Sequence, residues 1–402
     1  MNPIIEVKNL YKAFGNRAKE GVRLHQQGKS KDEIMREAGI PVGVADVSFE
    51  VQQGEILVIM GLSGSGKSTL VRCINRLIEP TAGEVRIDGT DILALGRHDL
   101  LQLRQKKFGM VFQNFALLPH RTVLHNVEFG LEIQKTDPVK MEQKAMEAIN
   151  LVGLEGWEQS YPDQLSGGMQ QRVGLARALA VDPDILLMDE AFSALDPLIR
   201  RDMQDELINL QERVQKTILF ITHDLDEALK IGDRIILLKD GALVQEGTAE
   251  DILTNPATRY VQKFVEDVDL TKVLTARSVM KKPRAVAQYQ DGPRVALRKM
   301  DEESISSLFA LDKAHKLKGV VMAADAVDAA KRGEKILDHI INTDIIKVKL
   351  DTPVAEFFSD LATLQYPVAV VDDNDKLVGV IIRGSLLAGL AERGTVDNDN
   401  NS

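Results

Sequence analysis

Nine consecutive residues, Gly61-Leu62-Ser63-Gly64-Ser65-Gly66-Lys67-Ser68-Thr69, have the types and spacing needed to hold a chain of phosphates. Three glycines let backbone N–H groups curl around an anion without Cβ clashes. Lys67 can reach β- and γ-phosphates, and Ser68 can place its hydroxyl on Mg²⁺. A second set of reactive groups stands at Asp189-Glu190, after the apolar run Ile185-Leu186-Leu187-Met188. Asp189 can hold Mg²⁺ through water, and Glu190 can orient or deprotonate an attacking water. His223 ends another apolar run, Ile218 to Thr222. Ser166-Gly167-Gly168 caps and opens a helix whose N-terminus can receive an anion. Gln113 closes the run Phe108 to Phe112, where it is either an edge residue or a polar ligand. Phe14 is either a core or edge aromatic or a ring on which a purine stacks.

The elements that must position these groups follow from pattern. Ile56 to Met60 is short and apolar, as a buried parallel strand should be, and Thr69 to Ile78 carries apolar residues at helical spacing. Strand, glycine loop and helix is the context the phosphate motif requires. Ile4 to Leu10 reads as a first strand and Val47 to Val51 as the next. Between them lies a charged helical insertion, residues 17–42, divided by Gly28-Lys29-Ser30. There Ser30 and Glu33 form a capping box for a helix that Gly39 ends. This hairpin is either a solvated face or a partner contact. Residues 83–89 read as a strand, Leu100 to Lys107 as a helix, and residues 140–152 as an amphipathic helix. Ser193 to Asp196 form a tight polar turn after the paired acids.

The chain has 402 residues, 44% hydrophobic and 27% charged, which suits two or three ordinary globular domains. A net charge of −10 argues against nucleic acid as a partner. No apolar run is long enough to cross a bilayer and no cleavable leader opens the sequence, so the chain is expected in the cytoplasm. The single cysteine, Cys73, excludes an internal disulfide and reads as a small core residue.

Taken in order, these motifs over residues 4 to about 262 resemble the nucleotide-binding subunit of an ATP-binding-cassette (ABC) transporter. The resemblance is carried by the phosphate loop, Gln113, the signature Leu165-Ser166-Gly167-Gly168-Met169-Gln170, Asp189-Glu190, the turn ending in Asp196, and His223. It implies an α/β fold, a P-loop domain with a mixed sheet core and a helical subdomain, with ATP and Mg²⁺ as cofactors. It also implies Phe14 as the adenine-stacking ring and Ser68, Gln113 and Asp189 at the metal. Glu190 would be the general base and His223 a γ-phosphate contact. Two chains would pair head to tail, so that Ser166, Gly167 and Gly168 of one complete the site of the other. The insertion, with the stretches Met60 to Thr69 and Asp189 to Ile199, is similar to the ATPases of bacterial glycine betaine/proline betaine importers. That similarity implies permease subunits, an extracytoplasmic substrate-binding protein, and a place on the cytoplasmic face of the membrane. Importers of choline, carnitine or amino acids, and non-transport ABC ATPases, are the alternatives.

Residues 1–265 are thus assigned to the cassette and 266–275 to a linker. The remainder contains a repeat: Lys316 to Val321 matches Lys376 to Ile381 at a spacing of 60 residues. The two copies, residues 276–335 and 336–394, resemble a tandem cystathionine-β-synthase (CBS) pair. The first is degenerate at Ser306 to Leu311, helices are expected at Ala324 to Lys331 and Ser385 to Arg393, and residues 395–402 form a disordered acidic tail. Residues 271–335 carry 14 Lys/Arg against 8 Asp/Glu, a net of +6, whereas residues 336–402 carry 5 against 11, a net of −6. This split suits either an ionic-strength sensor that touches anionic lipid, or two halves that attract each other. Contact with an adenine nucleotide is the other expectation for the pair.

Overall fold

A computed structural model describes residues 3–266 and 274–383. The chain divides into two compact units, Met1–Asp267 and Val268–Ser402. The expected helix Ser385 to Arg393, the tail 395–402 and most of the linker lie outside the described residues.

The first unit is built on two sheets. In chain order its strands are β1 (Ile5–Ala13), β2 (Val42–Val51), β3 (Ile56–Met60), β4 (Ala82–Ile87), β5 (Thr90–Asp91), β6 (Phe108–Phe112), β7 (Ile185–Asp189), β8 (Thr217–Thr222), β9 (Arg234–Lys239) and β10 (Ala242–Gly247). One sheet runs β2-β1-β4-β5 and the other β10-β9-β3-β8-β7-β6. In the second sheet β9, β3, β8, β7 and β6 are mutually parallel and β10 is antiparallel. All five residues of β3 and all six of β8 are buried, which is why their sequences are continuously apolar rather than alternating. The parallel set delivers Gly61, Gln113, Glu190 and His223 at or just beyond one set of strand ends, the edge at which α/β sheets take ligands. Leu57, Ile59, Leu70, Val71, Leu187 and Ile221 belong to the core between the sheets and the Lys67–Ile74 helix.

The helical part consists of Val123–Ile133, Pro138–Leu151 and Gly167–Ala180, which pack on one another. The insertion forms two helices, Ala18–Gln26 and Lys31–Ala38. The Ser30/Glu33 capping box is complete, and Gly39 ends the second helix at φ 68°.

Two expected boundaries move. The helix after the phosphate loop stops at Ile74, short of Ile78. Arg76 takes φ 54°, and the carbonyls of Asn75 and Arg76 accept from the Arg104 guanidinium instead of from a further helical turn. Strand β2 begins at Val42 rather than Val47, because it follows β1 through register shifts out to Ala13.

The second unit repeats one motif twice. Strands β11 (Val286–Gln288), β12 (Ser307–Leu311) and β13 (Leu317–Met322) form a sheet in that order, as do β14 (Lys347–Lys349), β15 (Val368–Val371) and β16 (Leu377–Ile381). In each sheet the first pair is parallel and the second antiparallel, with a register shift before the last residue of the middle strand. The turns match atom for atom: Asp312 Oδ1 accepts from the Ala314 and Lys316 amides, and Asp372 Oδ1 from those of Asn374 and Lys376. His315 at φ 63° and Asp375 at φ 58° occupy equivalent places. The lead-in to each copy pairs with the last strand of the other, Lys281 with Val380 and Asn342 with Val320. This reciprocal exchange gives the two copies an approximate twofold relation. Strand β12 is a fully buried centre strand, and a helix covers Ala323–Lys331.

Candidate functional site

The phosphate loop is held from behind by backbone. A Cβ on Gly61, at φ 150°, would lie 2.3 Å from the Leu238 carbonyl oxygen, and one on Gly66, at φ 100°, would lie 2.3 Å from that of Gly43. Neither oxygen belongs to a flexible side chain, so glycine is required at both positions. The Gly241 amide donates to the Ser65 carbonyl at 3.0 Å, and the Ala45 amide to the Gly241 carbonyl at 2.8 Å. The loop is thereby fixed before any ligand arrives. Ser63 and Gly64 stay exposed, whereas Ser65 is only 5% exposed and its Oγ has no hydrogen-bond partner. An orphaned buried hydroxyl in a cradle of glycine amides fits an anionic oxygen.

Lys67 is as buried as Ser65. Its Nζ donates to the carbonyls of Gly61 at 2.7 Å and Leu62 at 3.2 Å, folding the side chain back over the loop. Burial lowers its pKa, and the charges of Glu190 and Asp189 oppose that shift. Ser68 Oγ donates to Asp189 Oδ1 at 3.0 Å, and Arg72 stands 3.6 Å from the other carboxylate oxygen. Glu190, immediately past β7, adopts φ 49° and donates its amide to the Ile221 carbonyl at 3.1 Å. Its carbonyl accepts from Ser193 Oγ at 2.9 Å, so the unusual backbone is held from both sides. His223 Nδ1 lies 3.5 Å from Glu190 Oε2. Among the described residues no three His, Cys, Asp or Glu side chains come together as a metal cluster.

Phe14 reaches this edge through a residue that the sequence reading did not single out. A Cβ on Gly43 would meet Phe14 Cε2 at 2.9 Å and Thr69 Cγ2 at 3.2 Å, and the Gly43 carbonyl is the one that confines Gly66. Gly43 is therefore where the aromatic, the phosphate loop and Thr69 converge. A glycine inside a strand was its only sequence signal. Phe14 is 38% exposed, with Lys12 Nζ 5.1 Å from its ring centroid.

The structure brings together Phe14, residues 61–69, Asp189, Glu190 and His223. Gln113 follows beside them, since Phe112 pairs with Asp189, but Ser166, Gly167, Gly168 and Asp196 are not brought to them within one chain. Gln113 sits exposed in the turn after β6. Ser166 Oγ caps its own helix by accepting from the Met169 amide at 3.3 Å, and Ser166 and Gly167 are exposed. A Cβ on Gly168 would lie 2.6 Å from Ile199 Cγ2, and one on Gly167 3.5 Å from Leu195 Cδ2. Asp196 caps the Pro197–Val214 helix through the Leu198 and Ile199 amides, both at 3.2 Å. The signature and Asp196 thus form a second cluster. Among the described residues, no hydrogen bond joins Ser166, Gly167 or Gly168 to the phosphate loop.

Comparison with known proteins identifies the family. The ABC transporter family model matches residues 44–193, and the CBS domain model matches residues 337–392. The chain is 57% identical over 387 residues to the glycine betaine transport ATP-binding protein OpuAA of Bacillus subtilis (strain 168), covering 96% of this chain and 92% of that one. It is 54% identical over 387 residues to the glycine betaine/carnitine transport ATP-binding protein GbuA of Listeria monocytogenes serotype 1/2a (strain 10403S), covering 96% and 97%. Among solved structures, the dimeric post-hydrolysis state of the cassette MJ0796 bound to ADP and Pi matches with a TM-score of 0.51 and 36% identity. That match covers 61% of this chain and 98% of the cassette.

Proposed function

The chain belongs to the ATP-binding subunits of glycine betaine ABC transporters, and from that membership we propose that it drives uptake of glycine betaine and related quaternary amines into the cell. It is an ATP-hydrolysing transport ATPase that works as a dimer with membrane permease subunits. The observation that carries the substrate class is similarity across 96% of the chain, second unit included, rather than across the cassette alone.

The site residues take the following roles in this reading. Phe14 stacks on the adenine, and residues 61–69 wrap the phosphates, with Ser65 Oγ and Lys67 Nζ turning from the loop to the anion. Ser68 and Asp189, already 3.0 Å apart, hold the metal side, with Gln113 swinging in from its exposed turn. The small, hard donor set suits Mg²⁺, which keeps waters and phosphate oxygens as its other ligands. Bound there, it would neutralise charge on the transferring phosphoryl group. Glu190 takes the proton of the attacking water, while His223 steadies that carboxylate and contacts the γ-phosphate. Ser166, Gly167 and Gly168 offer their helix end to the partner's nucleotide, and Asp196 fixes the turn beside them. A substrate-binding protein outside the membrane would deliver the cargo.

The second unit regulates. It contains a cavity of about 710 Å³ lined by Lys281, Lys282, Arg284, Ser306 and Tyr366 among others and, among the described residues, by no acidic one. Such a lining favours an adenine nucleotide over a flat lipid surface. Among the described residues, one ion pair, Arg277–Asp351 at 3.0 Å, crosses between the oppositely charged halves. That gives little support to their mutual attraction. Labelled adenine nucleotide should bind the full chain at two sites, the cassette and this cavity, and Lys281→Ala with Arg284→Ala should reduce that to one per chain. A stoichiometry unchanged by the double substitution counts against this role.

Uptake of labelled glycine betaine after a salt upshift tests the main reading, in cells lacking this chain and then resupplied. Uptake should return with the natural chain and not with Lys67→Ala. Uptake unchanged by the deletion removes betaine as the cargo, and carnitine is the next to assay.

A further inference from the structure

Residues Phe115 and Ala116, two and three positions beyond Gln113, both occupy the left-handed region, at φ 57° and φ 51°. Neither is glycine, asparagine or aspartate, and the aromatic residue is the less tolerant of that conformation. Two such residues in succession persist only where the surroundings over-determine them. One side chain does so here. Arg177, from the last turn of the Gly167–Ala180 helix, donates Nη2 to the Phe115 carbonyl at 3.0 Å and Nη1 to the Ala116 carbonyl at 2.6 Å. Both arms of the guanidinium are spent on consecutive carbonyls of one strained turn. Burial lowers the pKa of the group.

The same turn lies along the whole helix. The Phe115 carbonyl is 3.5 Å from where a Cβ on Gly174 would stand, and the tip of its ring is 3.8 Å from where one on Gly167 would stand. Positions 167, 174 and 177 fall on one helical face. The signature glycine is therefore at one end of this contact and Arg177 at the other.

The geometry points to Arg177 as a positioning residue that locks the turn after Gln113 in its left-handed form and so makes that turn and the signature helix move as one body. This rests on the proposed pairing with membrane permease subunits, and takes the largely accessible stretch 115–120 after Gln113 as the segment that faces them. A push on the segment from those subunits then reaches Ser166 and Gly167, which act on the partner's nucleotide. ATP closure travels back by the same path. Lysine cannot replace the arginine, because a single ammonium cannot span two successive carbonyls as a planar fork does.

The test uses Arg177→Lys, Ala116→Gly and the double variant, each as the isolated chain and in the complex assembled with its membrane subunits. Arg177→Lys should leave ATP hydrolysis by the isolated chain within about twofold, but lower its stimulation by the membrane subunits about tenfold, the scale of one strained residue released. Hydrogen exchange at residues 114–118 should quicken in the isolated variant. Glycine adopts the left-handed form freely, so adding Ala116→Gly should recover at least about threefold of the lost stimulation. Equal loss of isolated and stimulated activity, or no recovery in the double variant, overturns the inference in favour of a purely structural arginine. If the natural chain itself shows no stimulation, the reading of residues 115–120 fails. Exchange at residues 114–118 still decides whether Arg177 holds the turn, and unchanged exchange refutes it.

Discussion

Lys67→Met should change the stability of the ligand-free chain and its response to ATP in opposite directions. The ammonium is buried, and the causes of its lowered pKa put burial ahead of the attraction of Glu190 and Asp189. Its two hydrogen bonds go to carbonyls rather than to a carboxylate. Losing them costs about 1.5–3 kcal/mol each. Removing an ammonium without a contacting carboxylate from the interior returns several kcal/mol, and methionine refills the space. The net is about 1 kcal/mol of stabilisation, or roughly 2–4 °C for a unit of this size. ATP reverses the balance, because its phosphates supply the missing countercharge. At ATP one hundred times above Kd the natural chain gains about 2.7 kcal/mol. Loss of one charged phosphate contact weakens binding by up to about a hundredfold, which leaves about 0.4 kcal/mol at the same concentration. Scanning calorimetry with metal-free ATP reads both numbers. The pH dependence has a definite sign: between the lowered pKa and 10.5 the folded chain has released this proton and the unfolded chain still holds it, so the natural chain gains stability as pH rises there and the variant does not. A ligand-free variant that melts more than about 5 °C below the natural chain would falsify the argument that this lysine is strained for its ligand.

Glu190→Gln should bind ATP with near-natural affinity while its turnover falls about a hundredfold or more, the scale of a lost general base, and steady-state hydrolysis measures it. Glu227 is buried, and burial holds its pKa above the usual carboxylate value despite hydrogen bonds from Gln204 and Thr222. Its favourable contribution is present below pH 4.5 and is lost as pH rises through the raised value. Glu227→Gln should therefore melt higher near pH 7, by about 1 kcal/mol, with the gain vanishing near pH 4; a constant gain would contradict this. Chains carrying Lys67→Ala and chains carrying Ser166→Arg should each be inactive, yet an equal mixture should regain about a quarter of natural activity. Half of the pairs then hold one intact site built from both chains. A mixture as dead as its parts would place the whole site in one chain.

What was legible in the sequence is what short-range chemistry dictates. The five apolar residues of β3, the glycine loop and the capped helix at Ser30 are each specified within a dozen residues. The repeat in the second unit was visible because Lys316 to Val321 and Lys376 to Ile381 nearly coincide at a spacing of 60 residues, whereas the shared hydrogen-bonded turns at Asp312 and Asp372 emerged only in the structure. What stayed hidden depends on distant partners. Arg104 ends the helix at Ile74 from 28 or more residues away, and nothing near Ile78 announces it. Arg177 reads locally as one polar position in an alanine-rich helix, and its contact with residues some sixty positions earlier has no local signature.

The insertion is the case where local reading and structure pull furthest apart. As sequence it is a charged hairpin, and both of its helices do leave charged residues in solvent. Its two ends, however, are Phe14 and Gly43. The Phe14 amide donates to the Pro41 carbonyl at 2.9 Å, and Arg17 bonds the Ala38 carbonyl, so the hairpin is closed at its base by bonds beside the aromatic. On its inner side Tyr11, Val22, Ile34, Ile40 and Val42 form a small core of their own, and a Cβ on Gly21 would lie 2.7 Å from Ile40 Cγ2. A hairpin with its own core is a rigid spacer, and this one fixes the distance between the aromatic and the glycine that backs the phosphate loop. Whatever its outer face meets in the assembled transporter, its base helps shape the nucleotide site. Changes that loosen the packing at Gly21 should therefore be felt in nucleotide affinity before they are felt in global stability.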